Sequence, residues 1–188
     1  MANKWNVRRT VNPLVEPVTV GQVKDHLRVS TSVDDTVLGN IITAARQQVE
    51  RDTGKSLITQ TWVMTLDCFP KVGEPIKLLN GPVQSVSSFT YNNASGVQTA
   101  WSDYQLKTND NPALIIPDFN GSWPTDYSYD KRGIIVTYVA GYGDTHVDVP
   151  FELRQAVILR AEMIYDGESR MLNSAYERLT ASLRVGLY

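Results

Sequence analysis

Residues 50–62 read ERDTGKSLITQTW, and within this stretch the chain changes from one kind of structure to another. Before it, apolar residues recur every three or four positions, which predicts an amphipathic helix. The run TWVMTLDCF, which begins within it, alternates apolar and polar residues and therefore predicts a half-buried strand. Gly54 stands at the junction, and glycine suits the left-handed conformation that commonly ends a helix. We therefore predict that a helix ends at Gly54 and that β structure follows.

Gly54, Lys55 and Ser56 also match the last three positions of a phosphate-binding loop. That motif needs another glycine five positions earlier, and it leads from a strand into a helix. Here Val49 occupies the earlier position and the helix comes first, so no helix N-terminus is available to hold a phosphate. We interpret Gly54 as a helix C-cap and Lys55 as a cation at the negative end of the helix dipole.

Helical periodicity occurs in two separate blocks, residues 17–56 and residues 148–188. In the first block, Thr19 and Gln22 are spaced as in a capping box, so we predict that a short helix begins there and that a longer amphipathic helix follows it. In the second block, a helix is predicted to begin near Pro150, a residue that suits the first helical turn, and a shorter helix follows. Because each apolar helix face needs a partner, we expect the helices of both blocks to pack together.

The intervening block carries about seven short apolar or alternating runs separated by turn-forming residues, which predicts a small antiparallel sandwich or barrel. Asn80 and Gly81, which both tolerate positive φ, separate two of these runs and predict a β-hairpin. The predicted fold class is α+β, with a helical bundle core and an inserted antiparallel β domain. The predicted domains are an N-terminal extension (1–16), the helical core (17–56 and 148–188) and the inserted β domain (57–147).

The charge balance and the residue types limit the functions open to this chain. Lysine and arginine number 18 and aspartate and glutamate 20, so the net charge of −2 lacks the basic excess of a general nucleic-acid binder. Two histidines and one cysteine cannot complete a four-ligand zinc site, and no Gly-x-Ser-x-Gly motif is present. We therefore predict no catalytic residue, no metal and no cofactor. No apolar run approaches the ~20 residues of a membrane span.

The polar stretch FNGSWPTDYSYDKRG, residues 119–133, carries four aromatic residues. Aromatic rings in such a loop suit the binding of a carbohydrate or of a partner surface. Alternatively, the rings fasten the loop to the β domain beneath it, as in compact surface loops, and we prefer this interpretation. The candidate contact residues are Phe119, Trp123, Tyr127 and Tyr129.

The order of three stretches resembles the head–tail connector (neck adaptor) proteins of tailed bacteriophages, including the adaptors of gene-transfer particles. The resemblance covers about residues 18–168, with TGKSLITQTW at the helix-to-strand join and AGYG before a Val-Pro helix start. Most of these residues are helix caps, turns and core positions, so no single motif is diagnostic. The resemblance depends on the combination of the three stretches in this order. The stretches are VTVGQVKDHLRV (18–29), DDTVLGNIITAARQQVERDTGKSLITQTW (34–62) and VTYVAGYGDTHVDVPFELRQAVILRAEMIYDGES (136–169).

The resemblance implies a structural protein without enzymatic activity, made in the cytoplasm of a host bacterium and located in the virion neck. Such proteins form a ring, usually twelve-fold, beneath the portal protein. The ring joins the portal to the stopper or tail-completion protein and leaves a channel for the genome, so the DNA is in transit and not tightly bound. The alternative function is a carbohydrate- or surface-binding module that uses the aromatic loop.

We expect the partner contacts of a neck adaptor to include residues near the two chain ends, where charged and aromatic side chains occur. A solvated terminus without any partner is the competing interpretation of both stretches. The candidate interface residues are Arg8 and Arg9 near the N-terminus and Arg178, Arg184, Leu187 and Tyr188 near the C-terminus.

Overall fold

The computed structural model describes residues 5–129, 131–167 and 169–185. The chain divides into two compact units: a β unit of residues 1–12 and 60–140, and a helical unit of residues 13–59 and 141–188. Helices and antiparallel sheets are both present, and the predicted α+β class is confirmed. The segment predicted to be an N-terminal extension spans residues 1–16. Within it, Trp5–Val11 forms a strand of the β unit, and residues 13–16 belong to the helical unit.

The helical unit is a bundle whose core brings residues from both ends of the chain together. Leu38, Ile42 and Ala45 of the second helix are fully buried in the same cluster as Leu153 and Val157 of the third. The predicted packing of N-terminal against C-terminal helices is therefore confirmed. The helices are α1 (Val20–Leu27), α2 (Asp35–Thr53), α3 (Phe151–Tyr165) and α4 (Arg170–Leu183).

The helix ends follow local signals in the sequence. Thr19 caps α1: its Oγ1 accepts a hydrogen bond from the Gln22 backbone N–H at 3.2 Å, and the Gln22 side chain accepts one from the Thr19 N–H at 2.9 Å. Gly54 ends α2 with a φ of 69°, and its N–H donates to the carbonyl of Glu50. Both predicted caps are confirmed. They depend on residues at most four positions apart, which explains why the sequence reveals them.

An ionic cluster around the buried Arg46 joins the segment before α1 to α2. The Arg46 side chain donates to both carboxylate oxygens of Glu16, from Nε at 2.7 Å and from Nη2 at 3.3 Å. Its Nη1 donates to Glu50 Oε2 at 3.0 Å, and Glu50 Oε1 accepts from the backbone N–H of Leu57 at 3.0 Å. Arg46 thus lies at the centre of a network that also fixes the segment after α2.

Two irregular segments of the helical unit, residues 57–59 and 141–143, lie side by side. The Tyr142 N–H donates to the carbonyl of Leu57 at 3.2 Å, and the Thr59 N–H donates to the carbonyl of Gly143 at 2.9 Å. Gly141 has a φ of 137°. A Cβ atom there would lie 2.5 Å from the carbonyl carbon of Ile58, so the close approach of the two segments requires glycine.

The β unit contains two antiparallel sheets that share one apolar core. The five-stranded sheet has the strand order β1-β2-β8-β4-β5, and the three-stranded sheet has the order β3-β7-β6. The core combines Met64, Phe89 and Val136 of the larger sheet with Leu78 and Ile115 of the smaller one. The strands are β1 (Trp5–Val11), β2 (Gln60–Leu66), β3 (Ile76–Leu78), β4 (Val83–Asn92), β5 (Gln98–Ala100), β6 (Tyr104–Lys107), β7 (Ala113–Pro117) and β8 (Ile134–Ala140).

Two features of the β unit differ from the sequence-based expectation. The predicted hairpin at Asn80 and Gly81 is wrong, because β3 pairs with β7 whereas β4 pairs with β8 in the other sheet. Of the two residues only Asn80 has a positive φ, and Pro82 follows, so the two-residue turn that joins paired strands does not form. Strand β1 was not predicted: it pairs with β2 along an outer edge, and its exposed side chains give no alternating apolar signal.

Candidate interaction surfaces

The Gly-Lys-Ser triplet follows α2 and has the geometry of a helix end. Ser56 is buried, and burial lowers the pKa of the Lys55 ammonium below its usual value. Within the described ranges, no group of three or more His, Cys, Asp or Glu side chains could hold a metal ion. None of the described helices is long and apolar enough to cross a membrane.

Arg8 and Arg9 lie on β1, an outer strand of the five-stranded sheet. Successive side chains of a strand point to opposite faces, so the two guanidinium groups do not form one basic patch. Arg9 is engaged within the β unit: its Nη1 donates to Gln60 Oε1 at 3.0 Å, and its guanidinium carbon lies 5.9 Å from the centre of the Trp62 ring. Arg8 is exposed. Of the two predicted residues, Arg8 is therefore the one available to a partner.

The predicted C-terminal interface residues lie on and after α4. Arg178 is exposed on that helix, and Arg184 is exposed at its C-cap. The following residue turns back towards α2, because the Val185 N–H donates to the carbonyl of Thr53 at 2.9 Å. The two remaining predicted residues, Leu187 and Tyr188, lie outside the described residues.

The aromatic loop contains both buried and exposed rings. Trp123 is 5% exposed, its ring stacks on Phe69 with centroids 5.6 Å apart, and its Nε1–H donates to the carbonyl of Glu74 at 3.2 Å. Tyr127 packs partly buried against the same core, 4.9 Å from the ring of Tyr129. Burial, together with a hydrogen bond to Tyr129, raises the pKa of the Tyr127 hydroxyl to about 12.

The other two rings of the loop face solvent: Phe119 is 86% exposed and Tyr129 is 82% exposed. A stacking platform for a sugar needs accessible ring faces, so only these two rings can provide one in this loop. Substitution of Trp123 or Tyr127 would disturb the core of the β unit and would not report on binding alone. Phe119 and Tyr129 are therefore the residues with which a carbohydrate-binding role is tested.

We expect Trp123→Ala to lower the free energy of unfolding of the β unit by about 3 kcal/mol, the lower end of the usual cost of removing a buried tryptophan, because the loop can partly close the cavity. Phe119→Ala should change it by less than about 0.5 kcal/mol, since that side chain is exposed. Urea unfolding followed by tryptophan fluorescence measures both values. Equal effects of the two substitutions would contradict the burial of Trp123 beneath the loop.

If the loop binds carbohydrate, the double variant Phe119→Ala/Tyr129→Ala should lose glycan binding while its unfolding curve stays unchanged. A glycan array probed with the wild-type chain and with this variant makes the comparison. Absence of binding by the wild-type chain, or equal binding by both, would remove the role of this loop in carbohydrate recognition.

The sequence analysis did not single out a groove of about 290 Å³ in the helical unit, bordered by α1 and α3. Phe151, Arg154 and Ile158 follow one another at helical spacing and line one side of it. A signal for this surface was present, because an aromatic and an arginine at positions i and i+3 share a helix face. It was missed because both residues fall outside the apolar stripe of α3 that packs in the core.

Comparison with known protein families gives one match. A family model described as phage gp6-like head-tail connector protein matches residues 17–114, just over half of the chain. This range begins before α1 and ends in β7, so it includes residues of both units. A comparison with curated proteins found no match.

Solved structures from gene transfer agent (GTA) particles have the same fold. A chain from the neck of an empty GTA particle, computed with C6 symmetry, superposes with a TM-score of 0.81 and 22% identity over 97% of both chains. A chain of the native GTA virion gives 0.74 and 24% identity, and one from the native neck, computed with C12 symmetry, gives 0.73 and 23%. Each of these two comparisons covers 95% of this chain and 97% of the other. At these identities the likeness shows the fold.

Proposed function

Because the chain belongs to the phage gp6-like head-tail connector protein family, we propose that it is a ring-forming structural adaptor in the neck of a phage or phage-like particle. The ring lies beneath the portal, joins it to the stopper or tail and leaves a channel through which the genome passes. The family match carries this proposal. The fold supports it, since chains with the same fold come from particle necks that were computed with C6 and C12 symmetry. We propose twelve copies.

The properties of the chain are compatible with a ring. Repeated head-to-tail contacts need two different surfaces on each copy, and a chain with a helical unit and a β unit can supply them. The role of an adaptor is mechanical, so the proposal assigns the chain no reaction and no cofactor. In line with this, the polar clusters of the helical unit, such as Glu16, Arg46 and Glu50, join structural segments to one another.

Electron microscopy tests the proposal directly. The purified chain is imaged alone and after mixing with the portal protein encoded in the same genome. We expect a ring stacked coaxially on the portal, and class averages of end-on views give its symmetry. A chain that remains monomeric and does not associate with the portal under these conditions would refute the adaptor role.

The proposed channel also predicts weak binding of duplex DNA. Each phosphate contact retained during passage would add affinity and slow the movement of the genome, and the net charge of −2 offers little electrostatic attraction. We expect no tight complex between the assembled ring and duplex DNA at physiological salt, measured by fluorescence anisotropy. Tight, salt-sensitive binding would contradict the idea that the DNA is only in transit.

A further inference from the structure

The two sheets of the β unit end in four outer strands, and β1 is the longest of them. The other three, β3, β5 and β6, are three or four residues long, and so short a strand offers little backbone to another chain. β4 extends beyond β5, but that part of it carries two register shifts, and such bulges also hinder pairing. β1 has seven residues without proline or glycine, and its register against β2 shifts only between Arg9 and Val11. Its outer edge is therefore long and regular.

The outer edge of β1 carries backbone groups that the β unit does not use. In an antiparallel pair, a strand directs about half of its N–H and C=O groups to its neighbour, and the remainder point to the other side. On that other side of β1, no strand of the described chain is paired. A row of alternating donors and acceptors is complementary to extended polypeptide, which can add to the sheet as a further strand. The ligand that fits this edge is therefore an extended segment.

The charge on β1 has no counterpart within its sheet. The five strands of the larger sheet contain two arginines, Arg8 and Arg9, and no aspartate or glutamate. Arg9 lies over the Trp62 ring. Arg8 is exposed and forms no ion pair with any described residue. Because residues directly opposite each other on neighbouring strands interact, a carboxylate opposite Arg8 would be favoured.

We propose that the outer edge of β1 receives an extended segment of a different protein, which places a carboxylate opposite Arg8 and apolar side chains beside Trp5 and Val7. Trp5 and Val7 lie opposite Leu66 and Met64 of β2, on the face that covers the core. Trp5 is 54% exposed, so its ring offers apolar surface to an added strand. Since successive side chains of a strand point to opposite faces, the segment alternates polar or acidic residues with apolar ones.

A second copy of this chain fits the edge less well. Antiparallel pairing over the full length of two β1 strands would place Arg8 opposite Arg8 of the other copy, and like charges in that position are destabilising. The remaining outer strands of a second copy match only three or four of the seven residues. The occupant is therefore assigned to another protein, and the inference goes beyond the contacts between copies in the proposed ring.

Synthetic peptides test the charge preference on the full-length chain. Each peptide alternates threonine and valine and carries glutamate, glutamine or lysine at one central threonine position. We expect the glutamate peptide to bind about fivefold more tightly than the lysine peptide, measured by fluorescence anisotropy. Arg8→Glu should reverse this order, whereas Arg178→Glu, which changes another exposed arginine, should preserve it. Wild-type order in Arg8→Glu, or no binding of the glutamate peptide at millimolar concentration, would overturn the proposal.

Backbone methylation distinguishes strand addition from a contact between side chains. An added strand uses only one of its own two edges, so the N–H groups of alternate residues donate to β1. We compare two N-methylated forms of the glutamate peptide, one methylated at odd positions and one at even positions. One form should bind roughly tenfold more weakly or worse, and the other should bind as the parent peptide does. Equal effects of the two methylation patterns would show that the peptide does not add to the sheet.

Sedimentation velocity with the portal present determines whether a second copy uses the same edge. We expect the ring to persist when the glutamate peptide saturates the chain. A ring that the peptide dissolves would assign the edge to contacts between copies and overturn the partner proposed here, while leaving the adaptor function intact. A chain that forms no ring with the portal, yet binds the peptides with the Arg8-dependent preference, would remove the adaptor function and support this site.

Discussion

Gly141→Ala is expected to lower the free energy of unfolding of the helical unit by about 4 kcal/mol or more, an exceptionally large loss for one methyl group. The added Cβ would lie 2.5 Å from the backbone nitrogen of Thr59 and 2.6 Å from the carbonyl oxygen of Ile58. Backbone atoms cannot rotate away as a flexible side chain can, so one of the two segments must move. The φ of 137° adds strain, because residues with a side chain rarely adopt it.

The displacement would also break the hydrogen bonds that join the two segments. The bonds from Tyr142 to Leu57 and from Thr59 to Gly143 lie on either side of the close approach, so both should lengthen when the segments separate. This makes the AGYG motif a structural requirement of the helical unit. The close approach of the two segments accounts for the glycine at position 141 of this motif, so no ligand is needed to explain that residue.

The composition of the two units allows their unfolding to be followed separately. All four described α-helices belong to the helical unit, whereas the four tryptophans belong to the β unit. Far-UV circular dichroism at 222 nm therefore reports mainly on the helical unit and tryptophan fluorescence on the β unit. For Gly141→Ala we expect the dichroism transition to shift to a much lower urea concentration.

Gly39→Ala is the matched control for Gly141→Ala. Gly39 lies within α2 and a Cβ there would meet nothing within 4 Å, so alanine should stabilise the helix by up to about 1 kcal/mol. The same substitution is thus expected to lower the free energy of unfolding at position 141 and to raise it at position 39. A Gly141→Ala chain that unfolds at the wild-type urea concentration would contradict the close approach of residues 57–59 and 141–143.

Arg46→Met is expected to lower the free energy of unfolding of the helical unit by roughly 3–5 kcal/mol. Methionine preserves much of the volume of the arginine stem but removes the charge and all its donors. Glu16 and the buried Glu50 would then lose the cation that lies between them, and a carboxylate without a counter-charge is costly, most of all at the buried Glu50. The loss should appear in urea unfolding followed by circular dichroism at 222 nm.

A triple variant separates the charge from the packing at this site. In Glu16→Gln/Arg46→Met/Glu50→Gln the carboxylates become neutral amides, and residue 50 keeps an oxygen that can accept the hydrogen bond from Leu57. We expect this variant to recover more than half of the stability lost in Arg46→Met. A triple variant as unstable as the single one would show that the loss arises from packing and not from unpaired charge.

The separation of these residues along the chain explains which of them the sequence could reveal. Gly54 was predicted to end a helix because the signal is local: the glycine and the residues it caps are neighbours. Gly141 drew attention only as part of the AGYG stretch that precedes the Val-Pro helix start. Its actual constraint comes from the backbone at Ile58 and Thr59, more than eighty positions earlier, which no local pattern encodes.

The candidate surfaces were predictable to a smaller extent than the fold. The four aromatic residues of the loop look alike in sequence, and only the packing against Phe69 distinguishes the buried Trp123 from the exposed Phe119. Similarly, Arg8 and Arg9 are adjacent in the sequence, but both lie on a strand, and successive side chains of a strand point to opposite faces of the sheet. The groove lined by Phe151 and Arg154 was overlooked because both residues fall outside the apolar stripe of α3, and because α1, which lines its other side, lies far away in the sequence.

The sequence by itself determined the order of helical and β blocks, the caps at Thr19 and Gly54, and the α+β class, because hydrophobic periodicity and capping act over a few residues. Only the tertiary structure decided that β1 joins the larger sheet and that the chain crosses between sheets at Asn80 and Gly81. Strand pairing joins distant residues through backbone groups that every residue carries. A pattern of side chains therefore specifies that a strand exists more readily than which strand lies beside it.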